Sequence, residues 1–440
     1  MSRTVELLQQ LIRNRCVNDG TPSSGGEIRS VDTIRSFLPT QGHDQVTFEP
    51  ITGRGSLLAT IHGSDPSAQS VIFMGHLDVV PVTAPERWER DPFGGEIHDD
   101  VVWGRGAVDM LDVTSTMTSA FLRLIEEGFR PRGTLHLLAV ADEEALGTHG
   151  AGYLCEQHAD TVRSDIVLTE FGGMRLPFSR TPVVPIAVGE KGTYWCTIKV
   201  TGTPGHASMP LRADNALVKA AEVVRRLYEY QPAPVLHEAW RSFVAQADLG
   251  DEAVAVLTDG ARLQDFLAEA PVPVARLFHA CTHTTFAPTI MRAGVKTNII
   301  PDAAEIQVDV RTLPGHEAAE VRAMLSEALG DLWDQVEITA DSDSPATISP
   351  ATSPALDAIA KVTDSLNPGL KIAPTLLSAA TDARHFRRIG AECYGVGLKS
   401  DRIGFADFMG MFHGDNERVD TETLRLEEEY FYRLAHELVG

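Results

Sequence analysis

Histidines and carboxylates stand directly after several apolar segments of this sequence, at positions where they could hold a metal ion. They are His76 and Asp78 in MGHLD, Asp109 in GRGAVDM, Glu143 and Glu144 in ADEE, Glu170 in TEFGG, and His413 in FHGDNERV. Imidazole nitrogen and carboxylate oxygen are ligands that zinc and similar divalent cations use. Each residue alone is an ordinary polar residue of a loop or turn, so the predicted metal site depends on their appearing together.

Spacing gives the paired residues different roles. On an extended segment His76 and Asp78 share one face, so the Asp78 carboxylate can hydrogen-bond the ring nitrogen of His76 that does not bind metal. The side chains of Glu143 and Glu144 diverge because the two residues are adjacent. One of them can therefore bind metal while the other acts as a base toward water.

The elements that must position these residues read as an α/β fold. Strand patterns cover residues 56–61, 71–74, 135–141 and 166–168, helical patterns cover 113–127 and 150–158, and a capped amphipathic helix follows Ser2. Short apolar strands that alternate with helices indicate a largely parallel, buried sheet. The polar residues come at the carboxyl ends of the strands, the edge where open α/β sheets bind ligands.

The pattern changes near Gly189, which predicts a second domain. Half-exposed strands at 193–201, 289–296, 304–312 and 336–340 combine with helices at about 215–230 and 317–329, an α+β arrangement. The α/β pattern returns after about residue 349. We therefore expect a discontinuous catalytic domain, residues 1–187 and 346–440, with residues 188–345 inserted into it. The stretch between Tyr230 and Thr289 has helical patches and is expected to influence the choice of substrate.

Charge and cysteine content exclude some classes of partner. There are 38 Lys and Arg against 61 Asp and Glu, a net charge of -23, which disfavours binding to nucleic acid or to an anionic membrane. The five cysteines are scattered without a C-x-x-C pair, which is typical of reduced thiols. The N-terminus lacks the apolar core of a signal peptide, so a cytoplasmic location is expected.

Seven longer motifs carry a resemblance to a known family. They are MGHLDVVPV, WERDPFGGEIHDDVVWGRGAVDM, ADEEALGTHGA, TGTPGHASMP, GVKTNIIPDAAEIQVDVRTLPG, ATDARHFRRIG and HGDNERV. Over nearly its whole length the chain resembles the dizinc aminoacylase and exopeptidase family, which includes acetylornithine deacetylase, succinyl-diaminopimelate desuccinylase, carboxypeptidase G and carnosinase. The resemblance implies a mostly parallel-sheet, zinc-exopeptidase-like catalytic domain with an inserted ferredoxin-like α+β domain, which serves as a lid and can form a homodimer.

The resemblance also implies two Zn²⁺ per chain, with Co²⁺ or Mn²⁺ as possible substitutes. His76 and Glu170 would hold one ion, Glu144 and His413 the other, and Asp109 would bridge them. The peptide bond after Asp109 is expected to be cis.

Further roles are implied for residues outside the ligand set. Glu143 would be the general base and later the proton donor to the leaving amine, while Asp78 would orient His76. In the inserted domain His206 would contact the oxyanion. The residues expected to contact the substrate are Asn298, Arg311 and Arg384. Arginine suits a substrate carboxylate because its guanidinium can pair with both oxygens.

The sequence departs from the family pattern at three places. The family commonly has a lysine shortly after the bridging aspartate, whereas this chain reads Met110-Leu111-Asp112. Ala379 and Ala380 precede TDAR where glycine is usual, and Asp415 stands where many members have proline. No departure removes a ligand, so they bear on the substrate rather than on the chemistry.

The predicted reaction is hydrolysis of an amide bond in a small carboxylate-bearing substrate, a dipeptide or the C-terminal residue of a short peptide. The alternative is deacylation of an N-acyl amino acid by the same chemistry. A third reading, an inactive relative that only binds ligand, is disfavoured because all five ligand residues and Glu143 are present.

Overall fold

A computed structural model describes residues 2–440. The strands are β1 Asp44–Phe48, β2 Ser56–Ile61, β3 Ser70–His76, β4 Glu96–His98, β5 Val101–Trp103, β6 Thr134–Val140, β7 Ile166–Thr169, β8 Val183–Glu190, β9 Gly192–Thr201, β10 Gly205–His206, β11 Thr285–Ala293, β12 Ile299–Ile300, β13 Ala303–Thr312, β14 Val336–Ser344, β15 Thr347–Ile348, β16 Lys371–Leu377, β17 Glu392–Gly395 and β18 Arg418–Asp420.

The α-helices are α1 Arg3–Arg13, α2 Ile28–Phe37, α3 Leu111–Glu126, α4 Ala151–Gln157, α5 Ala159–Val162, α6 Ala216–Glu229, α7 Glu238–Gln246, α8 Asp251–Leu257, α9 Gly260–Glu269, α10 Val272–Thr282, α11 Ala318–Leu329, α12 Pro354–Leu366, α13 Ala383–Arg388, α14 Phe405–Met411 and α15 Thr421–Val439.

The large sheet has nine strands in the order β1-β2-β6-β3-β7-β17-β8-β15, with β16 also paired to β8. Its central pairs, β6–β3–β7–β17, are parallel. Helices α1, α3, α12 and α15 bury one face, and α4 and α13 cover part of the other. The inner strands are buried on both faces, for example β2 and β7 throughout, as in a covered sheet, whereas the edge strand β1 is largely exposed.

A separate sheet of four antiparallel strands, in the order β11-β13-β9-β14, lies within the predicted insertion. Residues of β9 and β13 alternate between buried and exposed along each strand. The buried side packs against α6 and α11 around side chains such as Val223, Leu325, Ile198 and Val308. The chain order strand-helix-strand-strand-helix-strand is that of a ferredoxin-like α+β unit, so the expected fold class is confirmed.

The four helices between Tyr230 and Thr289, α7 to α10, pack against the large sheet. Trp240 and Phe278 from these helices share an apolar cluster with Val183 of β8 and Ala373 of β16. The domain limits of 188–345 stay a prediction. The apolar side chains of these helices nevertheless pack against strands of the large sheet.

Two strands that build this contact, β8 and β16, were absent from the predicted elements. Each contains a proline, Pro185 and Pro374, which argues against a central strand because proline cannot donate to the ladder. The two strands run parallel to each other with Pro185 opposite Ala373 and Pro374 opposite Ile186. Predicted strand 289–296 instead spans Thr285–Ala293, with a register shift between Pro288 and Ile290.

Most other predicted elements are found within a few residues of their predicted ends. Ser2 caps α1 by accepting a hydrogen bond from the backbone of Val5. All five cysteines are buried and none forms a disulfide. Among residues 2–440 the structure contains no helix with the length and apolarity needed to cross a bilayer. The cytoplasmic location stays a prediction.

The helical cluster on β8 and β16 can be tested at Trp240, which is 2% exposed and donates its indole N–H to the Leu257 carbonyl at 2.8 Å. Trp240→Ala should lower the free energy of unfolding by about 3–5 kcal/mol because it leaves a cavity. Hydrogen exchange should accelerate in α7 to α10. The control is Trp195→Ala on β9, where the tryptophan is 37% exposed. This substitution should have a much smaller effect. Faster exchange confined to β9 and β13 would contradict this packing.

Candidate metal centre

Three neighbouring strands of the large sheet deliver four of the candidate residues to one edge. His76 is the last residue of β3, Glu143 and Glu144 follow β6, and Glu170 follows β7. Because β6, β3 and β7 are adjacent and parallel, their carboxyl ends lie side by side. The sequence pattern of polar residues after apolar strands therefore becomes a cluster at the edge where α/β folds bind ligands.

Asp109 lies between the two histidines. One carboxylate oxygen, Oδ1, is 3.3 Å from Nε2 of His76, and the other, Oδ2, is 3.3 Å from Nε2 of His413. His413 Nε2 is also 3.3 Å from Glu144, and His76 Nε2 is 3.9 Å from Glu170. A carboxylate that turns one oxygen toward each imidazole has the arrangement of a bridging ligand. The Asp109–Met110 peptide bond is cis, as expected.

The donor set fits divalent cations. Ligand atoms converge in two groups, His76 with Asp109 and Glu144, and His76 with Glu143 and Glu170, all within 4.8 Å of one another in each group. Glu144 Oε1 is buried without a hydrogen-bond partner. Buried unpaired carboxylate oxygens are costly, and a cation among them removes that cost. Since Glu143 converges with the others, proximity alone does not distinguish the base from the ligands.

The pKa shifts within the cluster also favour the binding of cations. Burial, reinforced by repulsion from neighbouring carboxylates, raises the pKa of Glu143 and of Glu170 well above the usual range. Burial also raises the pKa of Asp109, but hydrogen bonds from His413 and His76 outweigh it and hold that pKa below its usual range. The hydrogen bonds that His413 donates to Asp109 and Glu144 raise the pKa of His413 to about 10. The site therefore concentrates negative charge that cations can neutralise.

The Asp78 side chain supports the site in a different way from the one expected. Nδ1 of His76 is 2.9 Å from the backbone carbonyl of Asp78 and 3.8 Å from its carboxylate. The carboxylate accepts hydrogen bonds from the backbone N–H groups of Glu143 and Glu144 at 3.2 and 3.1 Å, and from Asn18 at 2.8 Å. Asp78 thus fixes the peptides of both glutamates, while its carbonyl orients the His76 ring.

Sequence reasoning missed Glu417, which holds the loop that carries Asp109. It is fully buried and accepts four hydrogen bonds, from the side chain of Arg105 and from the backbone N–H groups of Gly106, Val108 and Asp109. Burial raises its pKa to about 7 despite these donors. The available signal was its place in HGDNERV, four residues after His413.

A second missed residue is Asp142, which precedes the glutamate pair. It has a left-handed backbone, φ 71°, and its carboxylate accepts hydrogen bonds from Arg54, Asn18 and the backbone N–H of His149. Positive φ values also occur at Phe171 and at His413. Such conformations persist where surrounding contacts enforce them, and here they set the directions of the turns that carry candidate ligands.

The expected substrate-contacting residues lie on both parts of the molecule. On the catalytic side, Arg384 is buried and donates to the carbonyl of Leu146, two residues after Glu144. Arg311 on β13 is half-buried and pairs with Asp309 at 2.8 Å.

His206 ends β10 of a short two-stranded sheet, β10–β12, and Asn298 directly precedes β12. Both are exposed, and the backbone N–H of Ala207 donates to the Asn298 carbonyl at 3.1 Å. Ring atom Nδ1 of His206 contacts the hydroxyl of Ser208 at 2.7 Å. Within residues 2–440 neither residue contacts the carboxylate cluster. Their expected roles therefore stay predictions that need the two parts, or two chains, to come together.

The Glu417 contacts predict a measurable effect on cation binding. Glu417→Gln keeps the size of the side chain but replaces one acceptor oxygen with an N–H donor that faces backbone N–H groups. Supporting residues of this kind typically contribute about 10–100-fold to metal affinity. We expect a loss of that size in competition titrations with a chromophoric chelator. Glu422→Gln, at a side chain in the first turn of α15 that is 44% exposed, is the control and should change nothing. An unchanged affinity for Glu417→Gln would contradict the assignment.

Relatives share most of the chain. A probable carboxypeptidase S-like 2 from Dictyostelium discoideum is 28% identical over 393 residues, which cover 86% of this chain and 73% of that protein. The N-fatty-acyl-amino acid synthase/hydrolase PM20D1 of Homo sapiens is 29% identical over 411 residues, which cover 91% of this chain and 80% of that protein.

Solved structures share the fold. The M20 family metallo-carboxypeptidase Sso-CP2 from Sulfolobus solfataricus superposes with a TM-score of 0.75 at 17% identity, over 100% of this chain and 99% of that one. Residues 72–437 match the family described as Peptidase family M20/M25/M40. The resemblance read from the motifs is confirmed: the chain belongs to Peptidase family M20/M25/M40 and is an enzyme of this metallopeptidase and amidohydrolase class.

Proposed function

We propose that this enzyme hydrolyses the amide bond of a small carboxylate-bearing substrate with two Zn²⁺ ions and Glu143 as the general base. The observation that carries the proposal is the position of Asp109. One of its carboxylate oxygens lies 3.3 Å from His76 and the other lies 3.3 Å from His413. Glu144 and Glu170 complete the set around it. Co²⁺ or Mn²⁺ would serve the same donor set.

Bound divalent cations supply two things to such a reaction: an activated water near neutral pH and polarisation of the scissile carbonyl. Glu143 takes the proton of the attacking water on its carboxylate. It later gives that proton to the nitrogen that leaves, so one group serves as base and then as acid. The hydrogen bonds that the backbone N–H groups of Glu143 and Glu144 donate to the Asp78 carboxylate keep the base and its neighbour in fixed relative positions.

Recognition of the substrate carboxylate is assigned to arginine. Arg384 lies beside the turn that carries Glu143, through its bond to the Leu146 carbonyl at 3.0 Å. Arg311, His206 and Asn298 would reach the metal centre from the proposed inserted domain when the lid closes or when a second chain supplies them. The exposure of His206 and Asn298 supports such a docking role, and a homodimer through the inserted domain belongs to the same proposal.

Of the two substrate classes, N-acyl amino acids are favoured over dipeptides. The apolar surroundings of Glu170, described below, favour an apolar acyl group next to the reacting carbonyl. The printed names of the relatives include both a carboxypeptidase and an N-fatty-acyl-amino acid synthase/hydrolase. A panel of dipeptides and N-acyl amino acids, assayed for release of the free amine, tests the choice. Hydrolysis of dipeptides alone would reverse it.

The metal content is the first prediction of this proposal. Elemental analysis of protein purified without chelator should find about two divalent ions per chain, and a loaded structure should place them about 3.5–4 Å apart. Removing them should abolish activity, and Zn²⁺, Co²⁺ or Mn²⁺ should restore it. Protein that binds none of these ions and gains no activity from them would rule out the site.

Separate variants of the two adjacent glutamates test which of them is the base. Glu143→Gln keeps size and hydrogen bonding but cannot accept a proton, so kcat should fall by about 10²–10⁴-fold while metal content stays at the wild-type level. The matched variant Glu144→Gln should weaken metal binding instead. Retention of more than about a tenth of wild-type kcat would exclude Glu143 as the base. Loss of metal from Glu143→Gln would mean that the two roles are reversed.

A further inference from the structure

An apolar cavity of about 190 Å³ lies beside Glu170. Its walls come from three helices distant in sequence: Trp240 and Phe243 from α7, Phe278 from α10, and Phe408 from α14. Aromatic rings pack edge to face around it, as between Trp240 and Phe278 with ring centroids 5.2 Å apart. The helices between Tyr230 and Thr289, whose role the sequence left open, therefore build one wall of a cavity at the candidate metal centre.

The cavity is in direct contact with the reacting region. Glu170 itself lines it, and two further lining residues, Val108 and Phe412, directly precede the candidate ligands Asp109 and His413. Phe171, the residue after Glu170, stacks on Phe412 with ring centroids 5.4 Å apart and planes inclined by 18°. A group attached to a carbonyl held at the metal centre can thus enter the cavity without crossing solvent.

Arg384, the arginine assigned to the substrate carboxylate, is not among the residues that line this cavity. Arg384 bonds the turn after β6, whereas the cavity follows β7 and β16, and β3 with His76 lies between β6 and β7. A substrate that spans the site would have its carboxylate on the β6 side and its apolar part on the β7 side. The amide bond would then lie over His76 and Asp109.

Among residues 2–440, the lining offers no unpaired cation to a polar ligand. Lys399 contributes to the wall, but its ammonium is buried and paired with Asp112 at 2.6 Å and with Glu427 at 2.9 Å. The same ammonium lies 5.5 Å from the ring centre of Phe408. With that charge neutralised, the cavity favours a hydrocarbon.

We infer that this cavity binds the straight-chain acyl group of an N-acyl amino acid, with an optimum of about eight carbons. The inference rests on the proposed amide hydrolysis. An apolar cavity of about 150 Å³ holds benzene, so one somewhat larger holds roughly seven or eight carbons. Water adds to the acyl carbon and the C–N bond breaks. The products are the fatty carboxylate and the free amino acid, whose nitrogen receives the proton carried by Glu143.

The test is a chain-length series of acetyl, butyryl, hexanoyl, octanoyl and dodecanoyl amides of one amino acid, the best amine found in the panel above. Each methylene that enters the cavity should raise kcat/KM about three- to fourfold. The rise should stop near octanoyl, where the cavity is full. Calorimetry with octanoate, the product, should show binding with a negative heat-capacity change.

Two variants plug the cavity from two different helices, at partly exposed positions that tolerate a larger side chain. Leu277→Trp on α10 and Met409→Trp on α14 should each lower kcat/KM for the octanoyl substrate at least tenfold more than kcat/KM for the acetyl substrate. Both should weaken octanoate binding. The control Val272→Trp adds the same group to an exposed position of α10 that does not line the cavity, and should change none of these values.

The outcomes separate this inference from the proposed function. A flat or falling chain-length profile with intact hydrolysis of the acetyl substrate overturns the cavity assignment and leaves amide hydrolysis standing. A rising profile that both plugs leave unchanged also overturns it, because the chain then binds elsewhere. A preference for dipeptides with an aromatic first residue, abolished by the plugs, would assign the cavity to a peptide side chain instead. No hydrolysis of any amide by metal-loaded enzyme defeats the proposed function itself.

Discussion

Crowding of buried carboxylates at one sheet edge is the constraint on which the rest of the structure depends. Asp109, Glu143, Glu144 and Glu170 share a region with two histidines, and burial together with mutual repulsion raises the pKa of Glu143 and Glu170. Burying like charges is unfavourable unless hydrogen bonds or cations compensate. A structure that keeps them together must therefore fix their backbone firmly, which accounts for the supporting carboxylates Asp78 and Glu417.

The candidate ligands could be predicted because each sits at the end of an apolar strand or in a distinctive motif, and strand ends meet at one edge of a parallel sheet. His76 and Glu170 needed only that rule. Glu417 could not be recognised as a support, because its function depends on four donors that lie about 310 residues earlier in the chain. Local pattern carries no information on such a contact.

The same limit explains what was missed in the fold. Because of Pro185 and Pro374, the sequence pattern did not predict two strands of the large sheet. The surface on which α7 to α10 pack was therefore not predicted either. Those helices lie inside the predicted insertion by sequence, yet their core is shared with Val183 and Ala373. Sequence order thus separates them from the catalytic sheet, whereas burial of apolar surface joins them to it.

Asp112 shows how one departure from the family pattern fits this arrangement. Members of the family commonly carry a lysine shortly after the bridging aspartate, whereas this chain has the buried Asp112. Asp112 pairs with Lys399, and Lys399 also pairs with Glu427. The positive charge is supplied from a distant segment, and it forms part of the cavity wall. Because both carboxylates pair with this ammonium, the wall beside Glu170 presents no unpaired positive charge. Low polarity there strengthens the electrostatic interactions of the neighbouring carboxylates, so the cavity and the charged centre reinforce each other.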